Sequence, residues 1–291
     1  MTNKAPQFAF FGTPQLAAVF LDDLESAGLV PALVISSPDA PQGRGMMLTP
    51  PPVKAWARAR DIPVLQPEAF DEYTIESIRS YGCEFGIVIY YGKILPKAIL
   101  DIFPRGILNV HFSLLPKWRG TAPVRSAILN DDRETGISII LLDEKMDHGP
   151  IIMQKKIAVA DWPPRASALE ELSTHESARL LIEILPRYLA GEITPQEQDH
   201  TVTTVCPKLT KEDGRIDLHA DGYANLLKIR GLDTSIGTYA LFERNGTAVR
   251  VKILDAHLEG SNLVLDRVVP EGKKEMAYQE FARSGATLLQ F

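Results

Sequence analysis

Cysteine is nearly absent from this chain: Cys83 and Cys206 are the two in 291 residues, far apart and without a C-x-x-C pair. Two isolated thiols exclude a disulfide scaffold and offer no zinc-ligand spacing. They read as small buried side chains in a reducing compartment, with no metal expected. Long apolar runs are missing too. Charges or turn residues interrupt every stretch before the ~20 residues a bilayer-spanning helix needs. The polar opening, Met1 to Pro6, shows no basic leader followed by an apolar core and a cleavage site. A soluble, cytoplasmic chain with no membrane partner is the expectation. Positive charge is also scarce, with 31 Lys and Arg against 37 Asp and Glu and a formal net charge of -6. A protein that coats nucleic acid through overall charge is thereby excluded, and any RNA contact must be local. Finally, no G-x-G-x-x-G follows the first apolar run, only Gly12-Thr13-Pro14. A dinucleotide-binding protein is disfavoured.

What is present fits a folded enzyme-sized body. Hydrophobic residues make up 45% and charged residues 23% of the chain, an ordinary globular composition, and the length predicts one large domain with a smaller one. Short apolar runs at Phe8 to Phe11, Ala32 to Ser36, Gly86 to Tyr90 and Ile107 to Val110 read as buried strands. Leu16 to Ser26, Pro52 to Arg60, Asp71 to Tyr81 and Pro96 to Asp101 have helical spacing. The alternation predicts an α/β domain with an open, mainly parallel sheet, its ligands beyond the carboxyl ends of the strands. Gly136 to Leu142 and Pro150 to Val159 read as paired strands that extend the sheet. Ala166 to Leu189 reads as a long helix capped at Gly191, where the first domain is expected to end. Residues 191 to 208 are polar and aperiodic, a connector over a surface. Beyond them, alternating segments at Gly237 to Phe242, Ala248 to Leu254 and Asn262 to Leu265 suggest a compact barrel-like β domain.

One polar constellation stands out. Asn109 and His111 lie two apart at the end of an apolar strand, so they share a face. Asp147 sits in the turn-forming string Asp143-Glu144-Lys145-Met146-Asp147-His148-Gly149-Pro150, which can hold a carboxylate near that strand end. Taken singly, each of the three is ordinary: a satisfied histidine or a turn aspartate is the commoner account.

The longer string changes that balance. Asn109-Val110-His111, Ser113-Leu114-Leu115-Pro116, Arg119-Gly120-Thr121-Ala122-Pro123 and the Met146-Asp147-x-Gly149 turn resemble the folate-dependent formyltransferase family. The likeness continues in Phe11-Gly12-Thr13-Pro14, in Pro38-Asp39 with Gly43-Arg44-Gly45, in Pro52-Val53-Lys54 and in Tyr91-Gly92-x-Ile94-Leu95-Pro96. It reaches Lys208-Leu209-Thr210-Lys211-Glu212 and Val269-Pro270-Glu271-Gly272-Lys273-Lys274. The resemblance implies a Rossmann-like catalytic domain over residues 1–190, a linker over 191–208 and a small OB-like β-barrel over 209–291 that binds tRNA. It implies 10-formyltetrahydrofolate as donor, acting as co-substrate, and catalytic roles for Asn109, His111 and Asp147. It departs from the family at Phe112, where glycine or proline is usual, at Met46 and Met47, where lysines are frequent, and over Gly231 to Gly237.

The chemistry suits these residue types. Attack of an amine on a formyl carbon creates an oxyanion and a cationic nitrogen, so a site needs donors for the first and a proton path from the second. Asn109 and His111 are expected to donate, and Asp147 to relay the proton. The folate slot is expected from Tyr91, Gly92, Ile94, Leu95 and Leu142. Ser113, Leu114, Leu115 and Pro116 carry two compatible readings, folate contact and a proline-stopped turn under His111. The acceptor implied by the resemblance is the amino group of initiator methionyl-tRNA, with Arg44, Lys54, Lys208 and Lys211 as tRNA contacts and Lys117 and Arg119 as further phosphate ligands. A nucleotide-linked amino sugar is the alternative acceptor, and a monomer is expected.

Overall fold

The computed structural model describes residues 6–43, 45–234, 236–244 and 246–289. They form two compact units. The first takes in the described residues of Met1–Thr121, Gly136–Ile157 and Glu171–Val205, and the second Ala122–Thr135, Ala158–Glu170 and Cys206–Phe291.

In chain order the elements begin with β1 (Phe8–Phe11), α1 (Gln15–Ser26), β2 (Leu33–Ile35), β3 (Ala40–Gln42), β4 (Met47–Thr49), α2 (Pro52–Arg58) and β5 (Val64–Leu65). Next come α3 (Glu72–Ser80), β6 (Phe85–Val88), α4 (Lys97–Leu100), β7 (Ile107–His111), α5 (Pro123–Leu129), β8 (Thr135–Leu141), β9 (Ile151–Ile157) and α6 (Ala166–Leu189). The remainder is α7 (Gly222–Gly231), β10 (Thr238–Arg244), β11 (Thr247–Glu259), β12 (Asn262–Pro270), β13 (Met276–Ala277), α8 (Tyr278–Ala282) and β14 (Thr287–Leu288).

Local chemistry explains several boundaries. Asp71 caps α3 by accepting from the Thr74 amide at 2.8 Å, and Asp221 caps α7 through the Ala224 amide at 2.7 Å. Pro52 opens α2, where its missing N–H costs nothing. Gly191, at φ +74°, closes α6, with the Gly191 amide on the Tyr188 carbonyl and the Glu192 amide on that of Arg187.

The first unit is built on a seven-stranded sheet ordered β5-β2-β1-β6-β7-β8-β9. The pairs from β5 to β7 are parallel, and β8 runs antiparallel to β7. The mixed α/β architecture and mainly parallel sheet agree with the strand and helix pattern in the sequence. Chain order reverses between β1 and β6, which leaves a crevice at the carboxyl ends of the central strands. Ala9, Phe11, Leu33, Ile35, Ile78, Phe103 and Ile107 pack into one core on this sheet.

The second unit holds a five-stranded antiparallel sheet, β13-β12-β11-β10-β14, over a core that includes Ile216, Ile229, Phe242, Val251, Val268 and Phe281. Helices α5 and α7 have no counterpart in the sequence pattern. Leu226, Leu227, Ile229 and the polar Asn225 are all buried in α7, so no single apolar stripe marks it.

Candidate active site

Asn109 and His111 occupy the last turns of the β7 pleat, with Asn109 opposite Val88 of β6 and Ile140 of β8. Both are buried. Their two-residue spacing puts the side chains on one face. The turn between β8 and β9 delivers Asp147 to the same place. Asn109 Nδ2 donates to Asp147 Oδ1 at 3.3 Å, and His111 Nδ1 lies 3.5 Å from the same oxygen. Asp147 Oδ2 accepts the backbone N–H of Gly120 at 2.7 Å. The structure thus brings the three polar residues together, although 38 positions separate Asn109 from Asp147.

The other ring nitrogen settles the tautomer of His111. Nε2 lies 2.9 Å from the carbonyl oxygen of Trp118. A carbonyl only accepts, so Nε2 carries a hydrogen. Nδ1 therefore turns a lone pair toward Asp147 when the ring is neutral and a hydrogen when it is charged. This arrangement can take up one proton and return it.

Asp147 adopts φ +48°, in the left-handed region. That conformation is unfavourable by roughly 1–2 kcal/mol for a residue with a Cβ, and surrounding bonds must hold it. Gln198 supplies two of them, its Nε2 donating to the carbonyls of Asp147 at 2.9 Å and Gly149 at 2.7 Å. Arg119 in turn donates to Gln198 Oε1 from Nε at 3.2 Å and Nη2 at 2.6 Å, and its Nη2 also lies 2.8 Å from His200 Nδ1. No periodicity or motif in the sequence marks Gln198 as part of this site. The polar stretch around it reads as connector, yet Gln196 pairs with Ile151 and Val205 bridges to Arg119.

Several residues expected to touch ligands are buried or paired in the structure. Arg119, read as a phosphate ligand, is buried with its guanidinium committed to Gln198 and His200. Lys54, read as a tRNA contact, is 6% exposed, and its Nζ lies 2.6 Å from Asp39 Oδ1. Hydrogen bonds from Lys54 and then Gln66 hold the Asp39 carboxyl below its ordinary range. Tyr91 and Leu95, read as lining a folate slot, are core residues. The Tyr91 ring meets Phe11 at 5.6 Å, and burial pushes its phenol up to about 12. Ser113 and Leu115 are also buried.

The Ser113–Pro116 stretch is locked by its backbone. Ser113 Oγ donates to the Lys117 carbonyl, and Ser138 Oγ donates to the Ser113 carbonyl while accepting the Leu115 amide. Among the residues named for the folate, Gly92 and Ile94 are exposed and Leu114, Pro116 and Leu142 half-buried. Lys208 and Lys211 are exposed on the second unit. Arg44 lies outside the described residues.

Comparison with known proteins identifies the family of the chain. Residues 7–185 match the family described as formyl transferase. The methionyl-tRNA formyltransferase of Chloroflexus aurantiacus is 43% identical over 258 residues, covering 87% of this chain and 82% of the relative. That of Thermus thermophilus is 40% identical over 265 residues, covering 91% and 85%. Two solved structures share the fold at 17% identity. The methionyl-tRNA formyltransferase from Clostridium thermocellum has a TM-score of 0.59 over 91% of this chain and 99% of that one. The N-formyltransferase from Helicobacter canadensis, in complex with folinic acid and dTDP-3-aminofucose, has a TM-score of 0.62 over 87% and 88%. With residues 7–185 spanned by that match and its sequence close to these relatives over most of its length, the chain belongs to the formyl transferase family.

Proposed function

We propose that this protein transfers the formyl group of 10-formyltetrahydrofolate to the α-amino group of initiator methionyl-tRNA, in the cytoplasm and as a monomer. The convergence of Asn109, His111 and Asp147 beside the end of β7 carries the reading. The acceptor rests on the relatives, named methionyl-tRNA formyltransferases, that match over most of the chain.

An α-amino group has a reference pKa of about 7.7–8.0, so a fraction on the order of a tenth is already neutral near pH 7. No strong base is required. The amine nitrogen forms a bond to the formyl carbon as the carbonyl π pair moves onto oxygen, where the Asn109 amide and the His111 imidazolium donate to it. The ammonium proton passes to the carboxylate of Asp147. The oxyanion then re-forms the carbonyl as the bond from carbon to the folate nitrogen breaks, the bonding pair stays on that nitrogen, and Asp147 delivers its proton there.

Gly92, Ile94, Leu114, Pro116 and Leu142 are the residues we assign to the folate, because their surfaces remain accessible. We read the catalytic unit as Rossmann-like and the second unit as an OB-like barrel that binds tRNA through Lys208 and Lys211, with Arg44 reaching the acceptor stem. Incubation with 10-formyltetrahydrofolate and either charged initiator tRNA or a nucleotide amino sugar tests the acceptor. Formylmethionine on the tRNA is expected; formylation of the sugar alone overturns the reading.

A further inference from the structure

The polar segment after α6 touches both halves of the catalytic pair. Gln198 bonds the carbonyls of Asp147 and Gly149, on either side of His148. Six residues later, Thr204 Oγ1 accepts the amide of Trp118 at 2.8 Å, the Thr204 carbonyl accepts the amide of Arg119 at 2.9 Å, and the Thr204 amide donates to the Pro116 carbonyl at 3.3 Å. Trp118, itself at φ +58°, supplies the carbonyl that orients His111.

The Gln198 amide has a single workable orientation. Its oxygen faces a guanidinium, which only donates, and its nitrogen faces two carbonyls, which only accept. A flip would set oxygen against oxygen twice and nitrogen against nitrogen twice. Gln198 is 5% exposed and Arg119 9% exposed, so water is a poor substitute for either bond. Without these bonds the Asp147 turn loses two of its supports and relaxes toward ordinary backbone angles, carrying the carboxylate away from His111.

We propose that Gln198, its amide fixed by Arg119, is a positioning residue for formyl transfer, acting through the Asp147 turn. The inference rests on the function proposed above. The test therefore begins with wild-type protein, 10-formyltetrahydrofolate and charged initiator tRNA: absence of formylation there sinks the functional reading and, with it, this one.

With wild type active, Gln198→Met keeps the side-chain volume and removes all three bonding partners. Turnover is expected to fall by about 10- to 100-fold, since a misplacement on the order of 1 Å has that scale of effect. KM for both substrates should stay within about threefold, and the pH–rate profile should move because the spacing of His111 and Asp147 changes. In an Asp147→Asn background the same substitution should cost nothing further. A merely structural role would instead lower the yield of folded protein and leave its turnover and pH profile unchanged. Gln198→Glu, which retains the bond with Arg119, provides a second variant with the same expected loss. Wild-type kcat in either folded variant, an undiminished effect in the Asp147→Asn background, or failure of both variants to fold overturns the proposal.

Discussion

The imidazole of His111 gives its Nε2 hydrogen to the carbonyl of Trp118 at 2.9 Å. That bond leaves Nδ1 as the only ring nitrogen able to exchange a proton, and Nδ1 faces Asp147. The ring thus presents a single atom, Nδ1, toward Asp147, with Asn109 alongside as a neutral donor.

Removal of any member should be felt in turnover rather than in folding. Asn109→Ala, His111→Ala and Asp147→Asn are each expected to keep the wild-type circular dichroism spectrum. Each should lose about 10²–10³ in kcat, the typical effect of deleting one oxyanion donor or proton carrier. Single-turnover formylation measures the loss.

The Lys54–Asp39 pair gives a contrasting expectation. A surface lysine bound to phosphate would contribute to the salt dependence of tRNA binding. Lys54 is buried in an ion pair, so Lys54→Met should lower the melting temperature while leaving the salt slope unchanged. The pH dependence has a definite sign. The Asp39 carboxyl is lowered in the fold by hydrogen bonds from Lys54 and Gln66, so its contribution is complete above its ordinary value of 3.8. It is lost as pH falls through the lowered value. Thermal melts across the acid range should show this limb in wild type and a flatter one in Lys54→Met.

Gly149 offers a steric test of the catalytic turn. A Cβ at this position would sit 1.9 Å from the carbonyl oxygen of Leu141, and backbone cannot give way as a side chain can. Gly149→Ala should displace the Asp147 turn and reduce kcat by ~10²-fold. Gly28→Ala is the control. Its φ of +79° makes alanine unfavourable by roughly 1–2 kcal/mol, but nothing lies within 4 Å of the added carbon, so the catalytic pair should stay in place.

The two thiols should behave differently. Burial pushes Cys83 up from 9.0 to about 11, so it is almost entirely protonated at pH 8 and shielded from reagents. Cys206 is half-buried. Native protein should react with an alkylating reagent at Cys206 alone, and denatured protein at both, as counted by intact mass. The raised thiol also contributes stability that is complete below its ordinary value and is lost as pH rises through about 11. Cys83→Ala should flatten that part of the alkaline limb.

Much of the scaffold was legible in the residues. Phe8 to Phe11 is apolar at every position and Ile107 to Val110 at every position but Asn109, as strands buried on both faces tend to be. Ala166 to Leu189 keeps helical spacing up to a glycine that can take a positive φ. Asn109 and His111 were legible as a pair because strand periodicity is local and strict. Their meeting with Asp147 was legible only through the longer motif. α7 escaped because it is buried on more than one side, and α5 because a seven-residue helix is barely two turns long.

By itself, then, the amino-acid order determined the alternation of strands and helices, the family and the residue types at the candidate site, since these follow from short-range periodicity and motif. Only the tertiary structure decided what individual polar side chains do. Lys54 and Arg119 look like surface cations in the string, and Gln198 looks like connector. Their roles depend on Asp39, 15 positions from Lys54, and on the carbonyl of Asp147, 51 positions from Gln198. Burial and long-range pairing are set by which elements lie side by side, and no local pattern encodes that.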